Sequence, residues 1–264
     1  MILDGWAPTM PNFVPLGMMN CRPGKELSGE IGEFLKNSKN GVILVSFGSV
    51  LKPSLMTQDR KMVLINTFTK FPQYDFIWKW DEDEMDEKPE NVLLSKWVPQ
   101  QDILAHPKLK VFITHSGQSS FQETLCHQKP VVSIPVFSDQ FINTKEVERL
   151  KFGIGIAYVD LNFERLFQAL DRVLHDRIYT ENARKYGQIC NDQLTRPLDR
   201  AIWWIEHVMR HPKAYQGKNP VHKLHWFQYF LLDVLLFYLF IFYLVYKIFK
   251  WILMKIFYRK IKKD

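Results

Sequence analysis

Buried-strand runs and helical periods alternate along the first 200 or so residues. Short, mostly apolar stretches fall at residues 41–47 (GVILVSF), 74–80, 91–97 and 111–114 (VFIT), and a last one falls at 153–158. Runs that are apolar on both faces suit strands inside a sheet covered on both sides. Between them the apolar positions switch to helical spacing. Met62, Ile65 and Phe68 mark a helix over 57–70, and others are predicted at 101–105, 119–127 and 141–150. Asn162 is placed to cap a helix over 163–175 that sets Phe163, Leu166, Phe167, Leu170 and Val173 on one face. Helical stretches at 179–193 and 200–210 follow, with Trp203 and Trp204 read as core. The alternation predicts an α/β fold with a parallel sheet. Residues 1–39, rich in Pro, Gly and Asn, read as a linker or as an entry strand near 13–16, and the acidic run 81–87 reads as solvated surface.

The pattern changes near the C-terminus. Residues 227–246 hold a single charge, Asp233, and twenty helical residues cover roughly the 30 Å hydrocarbon thickness of a bilayer. A transmembrane helix is expected there. An interfacial amphipathic helix is the rival, but residues 234–246 show no polar stripe. Residues 213–226 then form a juxtamembrane stretch and 247–264 a basic tail.

Charge follows the same division. Of the net +7, five units come from Leu224 onward, where seven Lys or Arg face two Asp. That distribution points to a membrane surface rather than a nucleic-acid footprint. Lys247, Lys250, Lys255, Arg259, Lys260, Lys262 and Lys263 outnumber the basic residues just before the apolar run, so the C-terminus is expected in the cytosol and the globular part in the lumen. Cys21, Cys126 and Cys190 have no CxxC spacing, so neither a disulfide framework nor a zinc site is expected. No metal and no cofactor is implied.

Candidate chemistry concentrates in residues 111–140, VFITHSGQSSFQETLCHQKPVVSIPVFSDQ, which read as strand, loop, helix, strand, loop. His115-Ser116-Gly117 breaks the strand where a parallel sheet delivers side chains to a crevice. The helix that follows carries Ser119 and Ser120 in its first turn, and its unpaired N–H groups suit a phosphate. Glu123 follows one turn later. This segment resembles the UDP-glycosyltransferase family, of the membrane-bound animal glucuronosyltransferase type. Thr114, His115, Gly117, Ser119, Glu123, Pro130, Pro135, Phe137, Asp139 and Gln140 match the family pattern in register. Ser116 stands where that family usually has its first glycine, and Gln128-Lys129 where it has Gly-Val or Gly-Ile. A reshaped loop is expected if positive φ is required there.

The resemblance implies a GT-B C-terminal domain with a Rossmann-like parallel sheet over residues 40–212, wrap-back helices included, followed by the membrane helix. It also implies roles. Trp97 would stack on uracil and Gln100 would reach the nucleoside, in a WxPQ element. His115 would donate to the pyrophosphate. Glu123 would accept from the ribose hydroxyls, and Asp139 and Gln140 would hold donor-sugar hydroxyls, with Asp139 also placed to cap the helix after it. Gly117, Ser49 (in an SFGS element) and Ser119 would line the phosphate or ribose.

The function implied is transfer of a hexosyl group, glucuronic acid favoured, from a UDP-sugar to small lipophilic acceptors at the endoplasmic-reticulum membrane. The tail, Lys260-Ile261-Lys262-Lys263-Asp264, resembles a cytosolic retrieval signal. In the resembled family the base that activates the acceptor lies in an N-terminal half, and no match to it occurs here, so the chain alone is expected to bind donor without catalysing transfer. Two alternatives stay open: a non-catalytic form that binds UDP-sugar or forms homo- or hetero-oligomers with related transferases, and the donor subunit of a two-chain transferase.

Overall fold

The structure, a computed structural model, describes residues 13–49, 51–85, 87–212 and 224–261, with side chains up to residue 255. Residues 262–264 of the retrieval-type tail and most of the juxtamembrane stretch lie outside the described residues. The chain divides into two units, Met1–Trp203 and Trp204–Asp264.

The first unit is built on six strands: β1 (Val42–Ser46), β2 (Asp75–Lys79), β3 (Val92–Ser95), β4 (Leu109–Thr114), β5 (Val131–Ser133) and β6 (Gly153–Gly155). They form one sheet in the order β3-β2-β1-β4-β5-β6, with every pairing parallel. All five residues of β1 are buried, because both sheet faces are covered. On one face, Ile43, Val45, Phe76 and Trp78 pack with Phe68 of α2 (Gln58–Thr69) and Leu166 and Leu170 of α6 (Phe163–His175). On the other, Val42, Leu44, Ile77 and Phe112 pack with Leu35 of α1 (Gly29–Asn37), Ile103 of α3 (Gln100–Ala105), Leu125 of α4 (Gln118–Cys126) and Ala183 of α7 (Arg177–Asn191). Successive β-strand side chains point to opposite faces, which is why Val42 and Ile43 enter different cores. Asn162 caps α6 as its sequence position demands, accepting from Arg165 N at 3.0 Å. α5 (Gln140–Arg149) lies between β5 and β6 in sequence.

Several expectations need correction. First, residues 13–16 form no strand, and the supposed linker contains α1. Second, Cys21 and Cys126 form a disulfide, with Cα atoms 5.7 Å apart. Neighbouring contacts dock the same segment: Arg22 forms a two-pronged pair with Asp102 (2.6 and 3.1 Å), and Lys25 N donates to the same carboxylate at 2.7 Å. Arg22 holds the Asp102 carboxyl below its ordinary range. None of these partners is a neighbour in sequence, so local pattern carried no trace of them. Third, the acidic loop is not wholly solvated, since Asp81 accepts from Ser54 N (3.0 Å) and Ser54 Oγ (2.5 Å). Fourth, Trp203, on α8 (Pro197–Arg210), is 48% exposed and Trp204 half-buried, rather than core.

The second unit contains α9 (Trp226–Tyr229) and α10 (Leu232–Ile261), separated where Leu231 takes a positive φ of 53°. The continuous apolar helix therefore starts at Leu232 rather than at Phe227. Its stretch Leu232–Lys255 is long and apolar enough to cross a membrane. Asp233 falls in the first turn, its carboxylate accepting from Val234 N at 2.9 Å, at the end where the helix dipole favours negative charge.

Candidate functional site

The sheet reverses direction of growth between β1 and β4: the chain runs outward through β2 and β3 on one side, then returns to place β4 on the other side of β1. Such a switch point opens a crevice beyond the carboxyl ends of the two central strands. Ser46 is paired with Thr114 at that end, so Phe47-Gly48-Ser49 and His115-Ser116-Gly117 leave the sheet side by side.

The imidazole of His115 occupies the gap between the two loops. A Cβ on Gly48 would sit 2.9 Å from His115 Nε2, and one on Gly117 would sit 2.7 Å from it. Any side chain at either position would collide with the ring, and Gly48 also has φ of +80°. Burial pushes the imidazole pKa down, opposed by the Ser46 backbone and the Asp139 carboxylate and reinforced by Lys79. The neutral form of the ring is thereby favoured.

α4 starts directly behind Gly117, its N-cap. The N–H groups of Gln118, Ser119 and Ser120 have no acceptor within the helix. Asp139 supplies one: its Oδ2 accepts from Gln118 N at 2.9 Å and from Asn143 Nδ2 at 3.2 Å. The expectation that Asp139 caps its own helix is corrected, since its side chain makes no cap bond to α5. Gln140 is 3% exposed, and its Oε1 accepts from Val136 N (2.8 Å) and Phe137 N (3.1 Å), leaving its Nε2 end to donate.

A second group lies along α3 and α4. Gln100 Nε2 donates to Glu123 Oε2 at 2.6 Å and to Ser120 Oγ at 3.1 Å. Burial raises the Glu123 carboxyl pKa, against the pull of Gln100 and Arg22. Trp97 is 73% exposed, leaving its indole accessible to a stacking partner. Ser49 and Ser119 are exposed, in the loop after β1 and the first turn of α4. Thus His115, Gly117, Asp139 and Gln140 surround one set of loops, Gln100 and Glu123 form a bonded pair, and Trp97 joins through a residue that sequence reasoning passed over. That residue is Lys79, whose Nζ donates to Gly48 O at 2.8 Å and lies 5.4 Å from the Trp97 ring centroid. Burial lowers its pKa. Its signal was a lone cation at the end of a buried strand, DFIWK. Asn143 was also missed as a contributor, and Ser120, read for its backbone N–H, contributes its hydroxyl as well.

Both departures from the family's glycines adopt the backbone those glycines would serve. Ser116 has φ of +57° and Gln128 of +58°. The loop keeps its shape with non-glycine residues in left-handed positions, at a cost of roughly 1–2 kcal/mol each.

Residues 2–264 match the family described as UDP-glucoronosyl and UDP-glucosyl transferase. The chain belongs to this UDP-glycosyltransferase family. Among its relatives, UDP-glucuronosyltransferase 2B7 of Homo sapiens is 39% identical over 233 residues, covering 88% of this chain and 44% of the relative. UDP-glucuronosyltransferase 2B1 of Rattus norvegicus is 38% identical over the same shares. The chain therefore spans about 44% of the length of these relatives. A solved glycotransferase of kitacinnamycin superposes with a TM-score of 0.55 at 26% identity, over 65% of this chain and 43% of that one. Os79 of O. sativa, solved with UDP, gives 0.61 at 21% identity over 74% and 47%, a likeness of fold. The six-stranded parallel sheet of this chain is thus of the GT-B type, with an apolar helix after it.

Proposed function

We propose that this chain is the donor half of an enzyme transferring a hexosyl group, glucuronic acid favoured, from a UDP-sugar to small lipophilic acceptors. The observation that carries the reading is the His115 imidazole wedged between Gly48 and Gly117 beside the free end of α4. The diphosphate would lie over this gap, met by the Ser119 and Ser120 N–H groups and by Lys79, while uracil stacks on Trp97 and Glu123 accepts from ribose hydroxyls. Asp139 and the Nε2 end of Gln140 would hold the sugar.

As the acceptor oxygen bonds to the anomeric carbon, the bond from that carbon to the diphosphate oxygen breaks and negative charge grows on UDP. Hydrogen-bond donors fixed at that oxygen stabilise this charge. The acceptor's proton goes to a base that the family resemblance places in a preceding half.

We further assign the globular unit to the lumen of the endoplasmic reticulum and the C-terminus to the cytosol. The Cys21–Cys126 disulfide suits an oxidising compartment, and the more basic flank follows residue 246, at the end of the uncharged part of the apolar run. Titration of the purified chain with UDP tests the site: saturable binding, weakened by Trp97→Ala, is expected. Absence of UDP binding would sink the reading. Fusion to the preceding half of a related transferase is then expected to yield transfer to phenolic acceptors.

A further inference from the structure

Between the phosphate loop and the sugar turn runs a buried chain of three hydroxyls. Ser116, 1% exposed, bonds through its Oγ to the Ser133 hydroxyl at 2.6 Å. Ser133, 0% exposed at the end of β5, also bonds the Thr144 hydroxyl at 2.5 Å. Thr144 in turn donates to Gln140 O at 2.7 Å, within the first turn of α5. Asn143 makes a parallel link, donating to Ser116 O at 2.9 Å and to the Asp139 carboxylate.

Buried hydroxyls cost free energy unless bonded, and a serine at a φ of +57° is worse than glycine on backbone grounds. Ser116 combines both penalties. What it gains is a side chain that a glycine lacks, aimed inward at Ser133. The hydroxyl series joins three separate elements: the β4–α4 loop, the end of β5, and α5.

We propose that Ser133 and Thr144 are positioning residues that fix the Asp139-Gln140 turn relative to the His115-Gly117 loop, so that the sugar and the diphosphate of one donor are held in a single geometry. The proposal rests on the donor-site reading above. Neither hydroxyl touches the ligand. Their effect is therefore on the increment that the sugar adds to nucleotide affinity, because UDP alone engages the loop side of the site while UDP-sugar must engage both sides.

The test compares calorimetric affinities of the purified chain for UDP, UDP-glucuronic acid and UDP-glucose in wild type, Thr144→Val, Thr144→Ser and Ser133→Ala. Thr144→Val keeps the side-chain shape and severs the series. It is expected to leave UDP affinity within error of wild type and to weaken the UDP-sugar that wild type prefers by about two- to tenfold, the worth of one neutral hydrogen bond. Thr144→Ser, which keeps the hydroxyl, is expected to restore the wild-type ratio, and Ser133→Ala to lower it again. Equal UDP-sugar to UDP ratios in wild type and Thr144→Val overturn the positioning role while leaving the donor site standing. So does an equal loss in Thr144→Val and Thr144→Ser, which assigns the effect to packing. Failure of the wild type to bind any of the three ligands removes the donor-site reading itself, and this proposal with it.

Discussion

Asp139 caps a helix that is not its own. It precedes α5, yet its carboxylate accepts from Gln118 N, 2.9 Å away at the start of α4. The negative charge thus sits at the positive end of the helix that follows the His115-Gly117 loop, where such a charge is worth about 0.3–1 kcal/mol. Asp139→Asn retains an acceptor oxygen but loses the charge. Its expected result is a stability loss of about that size in urea denaturation, with UDP-sugar binding weakened more than UDP binding. Unchanged stability would disconnect Asp139 from α4.

Glu123 illustrates a site residue that opposes stability. Burial raises its carboxyl pKa, so the folded state holds the proton more readily than the unfolded chain does. Its favourable contribution is present below the unfolded pKa and is lost as pH rises through the folded value. Toward neutral pH the burial of this carboxyl is a cost. Glu123→Gln, which keeps an acceptor for Gln100, is expected to raise the melting temperature slightly and to weaken UDP binding by about 1.5–3 kcal/mol, the range for hydrogen bonds to a charged group. Tighter or equal UDP affinity in Glu123→Gln would assign the carboxylate to the scaffold.

His127 sets an acid limit. Burial, with Lys129 and Arg22 adding to it, pushes its pKa down to about 4, and its Nε2 is buried without a hydrogen-bond partner among the described residues. Above pH 6.5 the folded and unfolded chains are both neutral there. Below it the unfolded chain takes up a proton that the folded chain refuses until about pH 4, so stability falls across that window. His115 and His106 are shifted in the same direction and leave a residual slope. Denaturation midpoints measured from pH 7.5 to 4.5 are expected to fall less steeply in His127→Gln than in wild type, and parallel profiles would refute the assignment.

The disulfide makes a separate prediction. Cys21 and Cys126 are 105 positions apart, and closing such a loop stabilises by about 2–4 kcal/mol. Cys190 is buried, with its thiol pushed up to about 11. Peptide mapping under non-reducing conditions is expected to recover a linked Cys21–Cys126 pair, and alkylation to reach Cys190 only after unfolding. Cys126→Ser is expected to lower stability by the stated amount. Alkylation of Cys21 in the folded, oxidised protein would contradict the bond.

The sequence by itself determined the strands and most helices of the first unit, because each is specified by short-range periodicity and by caps such as Asn162. It also singled out the loops proposed here to hold the donor. The run of matched positions from Thr114 to Gln140 lies on one continuous segment, and a parallel strand can end only at the crevice side of its sheet. Tertiary structure decided how those groups are shared. That Asp139 serves α4, that Gln100 is bonded to Glu123, that Lys79 reaches Gly48 and that Ser116 meets Ser133 all depend on which strands become neighbours, and no local period encodes strand order. The supposed linker shows the same limit. Its disulfide, its Arg22–Asp102 pair and the Lys108 bonds to the Lys36 and Ser38 carbonyls at the end of α1 join it to partners 70 to 105 residues away, so its composition read as loose chain until the fold brought those partners to it.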